Sequence, residues 1–108
     1  MALSKDEVIK IVNGFLELLQ EKHDVREVYI FGSFAKDTAK DHSDVDLAVV
    51  LGSLDISESS PFNEAFDIFH EAQNYNSLLE VVCFVQEEFD QDDGALIRRI
   101  KKEGIRLV

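Results

Sequence analysis

Three stretches of the chain place apolar residues at every third or fourth position, the spacing of an amphipathic helix. The first is predicted to begin after the cap residue Ser4 and to end near Glu21. The second ends near Asn74, and the last lies between the candidate N-cap Asp93 and Gly104. The apolar positions that define these helices are, in order, Val8, Ile11, Val12, Phe15, Leu16, Leu18 and Leu19; Phe62, Ala65, Phe66, Phe69 and Ala72; and Leu96, Ile97 and Ile100. The three residues of the last helix are expected to point inward.

Short runs rich in β-branched and aromatic residues are predicted to be strands. They cover residues 28–31, 45–51 and 78–85, with residues 105–108 as a candidate edge strand. The run at 45–51 is almost continuously apolar, which predicts a strand covered on both faces. Ser33 is a candidate N-cap for a short helix that extends to about residue 40. Residues 41–43 are predicted to form a turn, and residues 52–61 an exposed loop.

The resulting order, α-β-α-β-α-β-α, predicts an α/β (α+β) protein in which a small mixed sheet is flanked by helices. A length of 108 residues fits one domain, residues 1–108. The longest apolar runs, residues 47–51 and 81–85, are far too short to span a bilayer. The N-terminal residues do not resemble a signal peptide, and the single cysteine, Cys83, suits a reducing compartment. We therefore expect a cytoplasmic protein that does not bind membranes.

Charge narrows the function further. The chain has 22 acidic and 11 basic residues, which give a formal net charge of −11. Proteins that hold nucleic acid by its phosphates need a basic face, so direct nucleic-acid binding is not expected. The same excess of acid argues against electrostatic binding to an anionic membrane.

A glycine and a serine mark the point where the first strand ends. Gly32 allows a sharp turn and a close approach of a ligand to the backbone. Ser33 and the first N–H groups of the helix that follows form a candidate anion site, suited to a phosphate. The alternative is a serine N-cap after a glycine turn, with no ligand.

Three acidic residues lie at or inside the second and third predicted strands. Asp44 and Asp46 enter the apolar run at 45–51, and residues i and i+2 of a strand face the same side, roughly 7 Å apart at Cα. Two carboxylates in this position suit Mg²⁺, which prefers oxygen ligands. Glu80 lies in an apolar strand and would complete a site for two metals about 3.5–4 Å apart if the two strands are neighbours. The alternatives are a chance acidic triplet and an exposed glutamate at a strand start.

The combination of a phosphate site and a carboxylate site resembles a known family. Gly32-Ser33, ten intervening residues and then Asp44-Val45-Asp46-Leu47 resemble the signature of the DNA polymerase β nucleotidyltransferase superfamily. The length and strand context are similar to its smallest branch, the minimal nucleotidyltransferases. The resemblance extends over most of the chain and implies the palm-like fold of that superfamily. It implies that Gly32 and Ser33 bind the triphosphate, and that Asp44, Asp46 and Glu80 hold two Mg²⁺ ions and carry the catalysis.

Members of this branch are often encoded beside a small helical HEPN protein. They act as antitoxins that transfer AMP from ATP onto a tyrosine of that partner. The resemblance therefore implies an enzyme with a nucleoside triphosphate as substrate, a hydroxyl acceptor, and a HEPN-type toxin as partner.

Two departures from the family pattern motivate an alternative. Lys36-Asp37 stands where the family commonly has a basic residue and then glycine, and Glu80 stands where the third acid is commonly aspartate. The alternative is a binding module with weak or no catalysis, which keeps the fold and neutralises its partner by association.

Overall fold

The computed structural model describes residues 4–32, 44–52, 61–91 and 94–108. Within these ranges the chain forms four helices and four strands. The helices are α1 (Lys5–Lys22), α2 (Pro61–Tyr75), α3 (Gln86–Asp90) and α4 (Ala95–Glu103), and the strands are β1 (Val25–Phe31), β2 (Val45–Leu51), β3 (Leu79–Val85) and β4 (Ile105–Arg106). None of the helices in this described part is long and apolar enough to cross a membrane.

The strands form one mixed sheet in the order β3-β2-β1-β4. β1 is antiparallel to both β2 and β4, whereas β2 and β3 are parallel. A parallel pair needs a crossover connection, and α2 supplies it. The predicted class, a small mixed sheet flanked by helices, is therefore confirmed.

Helices cover both faces of the sheet. On one face α1 and α2 pack on Leu47, Val49 and Leu51 of β2, and on the other α3 and α4 pack on Ala48 and Val50. All five of these side chains are buried, as expected for a strand whose sequence is almost continuously apolar. The second face, which we call the α3/α4 face, becomes important for function below.

The N-terminal helix begins where its cap was predicted. The Ser4 hydroxyl accepts a hydrogen bond of 3.1 Å from the backbone N–H of Glu7, which satisfies one of the open donors of the first turn. Helical spacing places Leu18 on the apolar face of this helix, and that prediction is wrong because the Leu18 side chain is exposed. In α2 the core positions are Ile68 and Ala72, whereas Phe66 and Phe69 are exposed.

Three further boundaries differ from the prediction. β1 starts at Val25, three residues early, because Val25 and the polar Glu27 still pair with β2, with an irregularity in the register between them. Residues 86–90 form α3, which was not predicted because five residues give no clear periodicity. The N-cap of α4 is Gly94, with φ +110° and no side-chain hydrogen bond, so the prediction that Asp93 caps this helix is wrong.

The sequence also places Leu96 wrongly. Helical spacing groups it with Ile97 and Ile100, yet Leu96 is 42% exposed and Ile100 is 0% exposed. We expect Ile100→Ala to lower the free energy of unfolding by about 2–5 kcal/mol, because it leaves a cavity under α4. Leu96→Ala is expected to change it by about 0.5 kcal/mol or less. Urea unfolding followed by circular dichroism measures both, and equal losses would show that α4 packs differently.

Three predicted segments and several predicted residues lie wholly or mostly outside the described ranges. They are the short helix after Ser33, with Ser33 itself and Lys36-Asp37, the turn at 41–43, and most of the loop at 52–61.

Candidate active site

The two strands that carry the acidic residues, β2 and β3, begin at the same end of the sheet. β2 and β3 are parallel, and their register pairs Asp46 with Glu80. Asp44 immediately precedes β2. Leu79 and Val81 point into the core under α1 and α2, so the alternation of β3 directs Glu80 to the α3/α4 face. The alternation of β2 places Asp46 on this face too.

The three carboxyl groups interact directly. Glu80 shares hydrogen bonds with both Asp44 and Asp46. Burial raises the pKa of Asp46 above its usual value and the charge of Asp44 raises it further, while the hydrogen bond with Glu80 opposes the rise. Although the Glu80 side chain is exposed, partial desolvation beside its neighbours, the charges of both aspartates and the hydrogen bonds with them raise its pKa. The site therefore disfavours its own negative charge.

The repulsion among the three carboxyl groups is relevant to metal binding. Within the described ranges, no three His, Cys, Asp or Glu side chains are already arranged as a metal-binding group. The donor set nevertheless suits a hard divalent cation, because all three groups supply oxygen and a cation would relieve their repulsion. Glu80 is exposed and has three rotatable side-chain bonds, so its carboxylate is free to separate from the aspartates. The residues present thus fit Mg²⁺, and metal binding stays a prediction.

The end of β1 meets the same carboxylates. Phe31, the last residue of β1, pairs with Asp46 of β2. Gly32 follows with φ +74°, a conformation that side chains other than glycine rarely adopt. A Cβ added to Gly32 would overlap Oδ2 of Asp46 and lie 3.3 Å from its Cγ. Glycine is therefore required here both for the turn and for the close approach of Asp46.

A polar cluster that the sequence did not reveal lies farther along the α3/α4 face. The Tyr29 hydroxyl donates to Oε1 of Glu27 at 2.6 Å, and Nε2 of Gln86 donates to Oε2 of the same carboxylate at 2.7 Å. Burial and the Glu27 carboxylate raise the pKa of Tyr29 to about 12. This cluster joins β1 to α3. The alternation of Glu27 and Tyr29 is the sequence signal for this cluster, but the strand predicted from the sequence begins at residue 28 and so excludes Glu27.

The sequence profile of the family described as "Polymerase beta, Nucleotidyltransferase" matches residues 13–108. The chain belongs to this nucleotidyltransferase family. Comparison with curated proteins returned no significant match.

Solved structures share the fold of this nucleotidyltransferase. A chain from Sulfolobus solfataricus with a provisional nucleotidyltransferase name superposes with a TM-score of 0.63 at 22% identity, and the match covers 94% of our chain and 80% of that one. A toxin–antitoxin structure with AMP-PNP gives a TM-score of 0.57 at 16% identity, with coverage of 98% and 73%. The MntA-HepT toxin–antitoxin gives 0.56 at 14% identity, with coverage of 91% and 69%. At these identities the likeness establishes the fold.

In this nucleotidyltransferase, Asp46 has a different group on each side within the sheet. Because the strand order is β3-β2-β1, Gly32 lies on one side of Asp46 and Glu80 on the other. A phosphate chain held near Gly32 and a hydroxyl held near Glu80 would flank Asp46.

Proposed function

We propose that the chain is a Mg²⁺-dependent nucleotidyltransferase that moves AMP from ATP to a hydroxyl of a partner protein. The observation that carries the proposal is the register of β2 and β3, which pairs Asp46 with Glu80 beside Gly32. Membership of a nucleotidyltransferase family supplies the reaction class. A carboxylate cluster next to a glycine turn suits the handling of a triphosphate.

Each group has a distinct role in this proposal. Gly32 and Ser33 bind the triphosphate through the backbone N–H groups at the glycine turn, which are suited to an anion. Asp44, Asp46 and Glu80 hold two Mg²⁺ ions. When bound, the metal neutralises charge on the triphosphate and on the pyrophosphate that leaves.

Glu80 is also suited to take the proton of the acceptor hydroxyl. It lies on the side of Asp46 opposite to Gly32, where the acceptor hydroxyl would approach, and a carboxylate in that position can accept the proton. Attack by the hydroxyl oxygen forms a bond to the α-phosphorus as the bond to pyrophosphate breaks. The proton passes to Glu80 or, alternatively, to Asp46.

The partner is proposed to be a small helical toxin of the HEPN type, with a tyrosine as acceptor. Two structural neighbours are toxin–antitoxin complexes, and one of them contains AMP-PNP. The net charge of −11 favours association with a basic surface through complementary charge. The cytoplasm remains the proposed location, and residues 1–108 the proposed domain.

Transfer of the α-phosphate tests this function. The chain is incubated with Mg²⁺, a candidate small helical partner protein of the HEPN type, and ATP labelled either at the α- or at the γ-phosphate. We expect the partner to acquire label from α-labelled ATP and none from γ-labelled ATP, because AMP is the transferred group. Asp44→Asn in the chain and tyrosine-to-phenylalanine changes in the partner are expected to remove the label.

A second candidate function has one observation in its favour. The carboxyl groups of Asp46 and Glu80 satisfy each other by hydrogen bonding without a metal. A chain in which they serve only to stabilise the fold would neutralise its partner by binding alone. Stable association of the two proteins, with no transfer of label in Mg²⁺, Mn²⁺ or Ca²⁺, would support this binding module.

A further inference from the structure

We propose that the strip of β3 beyond Glu80 binds the protein segment that carries the acceptor hydroxyl. The binding surface, which we call the acceptor groove, consists of Val82 and the cleft formed by Phe84, Leu96 and Ile97. It takes an apolar side chain close in sequence to the acceptor residue. This inference rests on the proposed transfer to a protein and specifies which acceptors the enzyme selects.

The groove continues directly from the carboxylates. Glu80, Val82 and Phe84 alternate along β3 and therefore share the α3/α4 face. Val82 is 37% exposed, because α3 and α4 cover this face only from Phe84 onward. Leu96 is 42% exposed on the wall of a cleft of about 540 Å³. Val82 on the sheet and Leu96 on α4 thus both expose apolar side chains on the side of the sheet to which Glu80 points.

The in-line geometry of phosphoryl transfer indicates that the groove binds the acceptor. In phosphoryl transfer the attacking and leaving oxygens lie roughly in line on opposite sides of the phosphorus. The proposed triphosphate site at Gly32 lies on the β1 side of Asp46, so pyrophosphate leaves toward β1. The acceptor must then arrive from the side of β3, where Glu80 and Val82 are located.

An extended segment fits this approach. β3 is at the end of the sheet order, so among the described strands it has no neighbour on its outer side. A peptide that runs along this edge keeps the spacing of a strand, about 3.3 Å per residue. A hydroxyl beside Glu80 would then place the side chains two and four residues away near Val82 and the cleft. Glu88, on the rim of the cleft, favours a basic residue in the segment.

Binding of defined peptides tests the groove independently of catalysis. The probes are two fluorescein-labelled peptides, each with lysines at both ends and a single tyrosine. The first peptide has leucine at the positions two and four residues from the tyrosine on both sides. The second has serine at the same positions. We expect the leucine peptide to bind more tightly. The double variant Val82→Ser/Leu96→Ser is expected to weaken it at least about tenfold, measured by fluorescence anisotropy. Its affinity for Mg²⁺-ATP, from calorimetry, should be unchanged.

Leu18→Ser provides a matched control. Leu18 is 48% exposed on α1, on the other side of the sheet, so its replacement should leave binding of the leucine peptide unchanged. Equal binding of the two peptides by the wild type would overturn the proposal. So would a double variant that binds Mg²⁺-ATP weakly and the leucine peptide normally, because the groove would then hold the nucleobase. Groove-dependent binding without AMP transfer would refute protein adenylylation and leave the groove as a docking site.

Discussion

Asp46→Asn is expected to abolish nucleotidyl transfer while leaving the metal-free protein as stable as the wild type, or more stable. The side chain keeps its shape but loses a charge that lies between two other carboxylates. Loss of about 4 kcal/mol of transition-state stabilisation corresponds to a fall in kcat of about 10³-fold. Transfer of label from α-labelled ATP measures this fall.

The melting temperature separates this result from simple unfolding. In the wild type, Mg²⁺ is expected to raise the melting temperature, because a ligand that binds only the folded state stabilises it. Asp46→Asn should lose this rise and show an equal or higher melting temperature in EDTA, since removing one of several like charges relieves repulsion. A clear loss of stability in EDTA would show that Asp46 has a structural role.

The pH dependence of stability gives a second signature of the same cluster. The folded-state pKa values of Asp46 and Glu80 are raised above the usual values of these carboxyl groups, which the unfolded chain retains. The stability they contribute is therefore fully present below those values and is lost as the pH rises through the folded-state pKa values. In EDTA, the melting temperature of Asp46→Asn should fall less than that of the wild type over this rise.

The pKa shift of the Glu27 carboxylate has the opposite sign, and this group is present in both the wild type and Asp46→Asn. Burial alone would raise the pKa of Glu27, but hydrogen bonds from Tyr29 and Gln86 and the charges of Arg106 and Lys101 outweigh it and lower the pKa. Its stabilisation is present above the unfolded value and is lost as the pH falls through the lowered one. Because it contributes equally to both, the difference between wild type and Asp46→Asn isolates the carboxylate cluster.

Gly32→Ala is the second change with a large expected effect. At φ +74° a side chain costs about 1–2 kcal/mol of backbone strain, and the new methyl group would overlap the Asp46 carboxylate. We expect the free energy of unfolding to fall by about that amount or more, and Mg²⁺-ATP binding to be lost, because Asp46 must move. Chemical unfolding and calorimetry measure the two effects.

Gly52→Ala serves as the control for this substitution. Gly52 follows β2 at the end of the strand opposite to Asp46, and its φ is not in the positive region. An added Cβ there would meet the side chains of Asp24 and Arg26, which are exposed and able to move. Mg²⁺-ATP binding should therefore be retained in Gly52→Ala. Normal nucleotide binding in Gly32→Ala would contradict the proposed triphosphate site.

The sequence predicted those parts of the site that follow from strand periodicity. Asp46 and Glu80 each enter an apolar strand, so neighbouring strands can bring both to one face, and the observed register does so. Sequence could not provide the contact between Gly32 and Asp46, because it depends on the antiparallel register of β1 and β2. Nor could it reveal the exposure of Val82, which depends on where α3 and α4 stop covering the sheet.

The errors in the helices have a common physical cause. Helical spacing identifies which residues lie on one side of a helix, but the packing partner decides how wide the buried stripe is. α4 buries Ile97 and Ile100 and leaves Leu96 at the margin. At the start of the same helix, Asp93 and Gly94 are both acceptable N-cap residues, and local preference does not choose between them.

The mixed order of the sheet makes the candidate site depend on distant parts of the chain. Gly32 and Asp46 come together through the antiparallel pair β1 and β2, whereas Glu80 reaches Asp46 only through β3, which follows the crossover helix α2. A fragment that ends before β3 would therefore lack Glu80 and could not form the complete carboxylate cluster. The cluster is thus a property of the assembled sheet and not of any local segment.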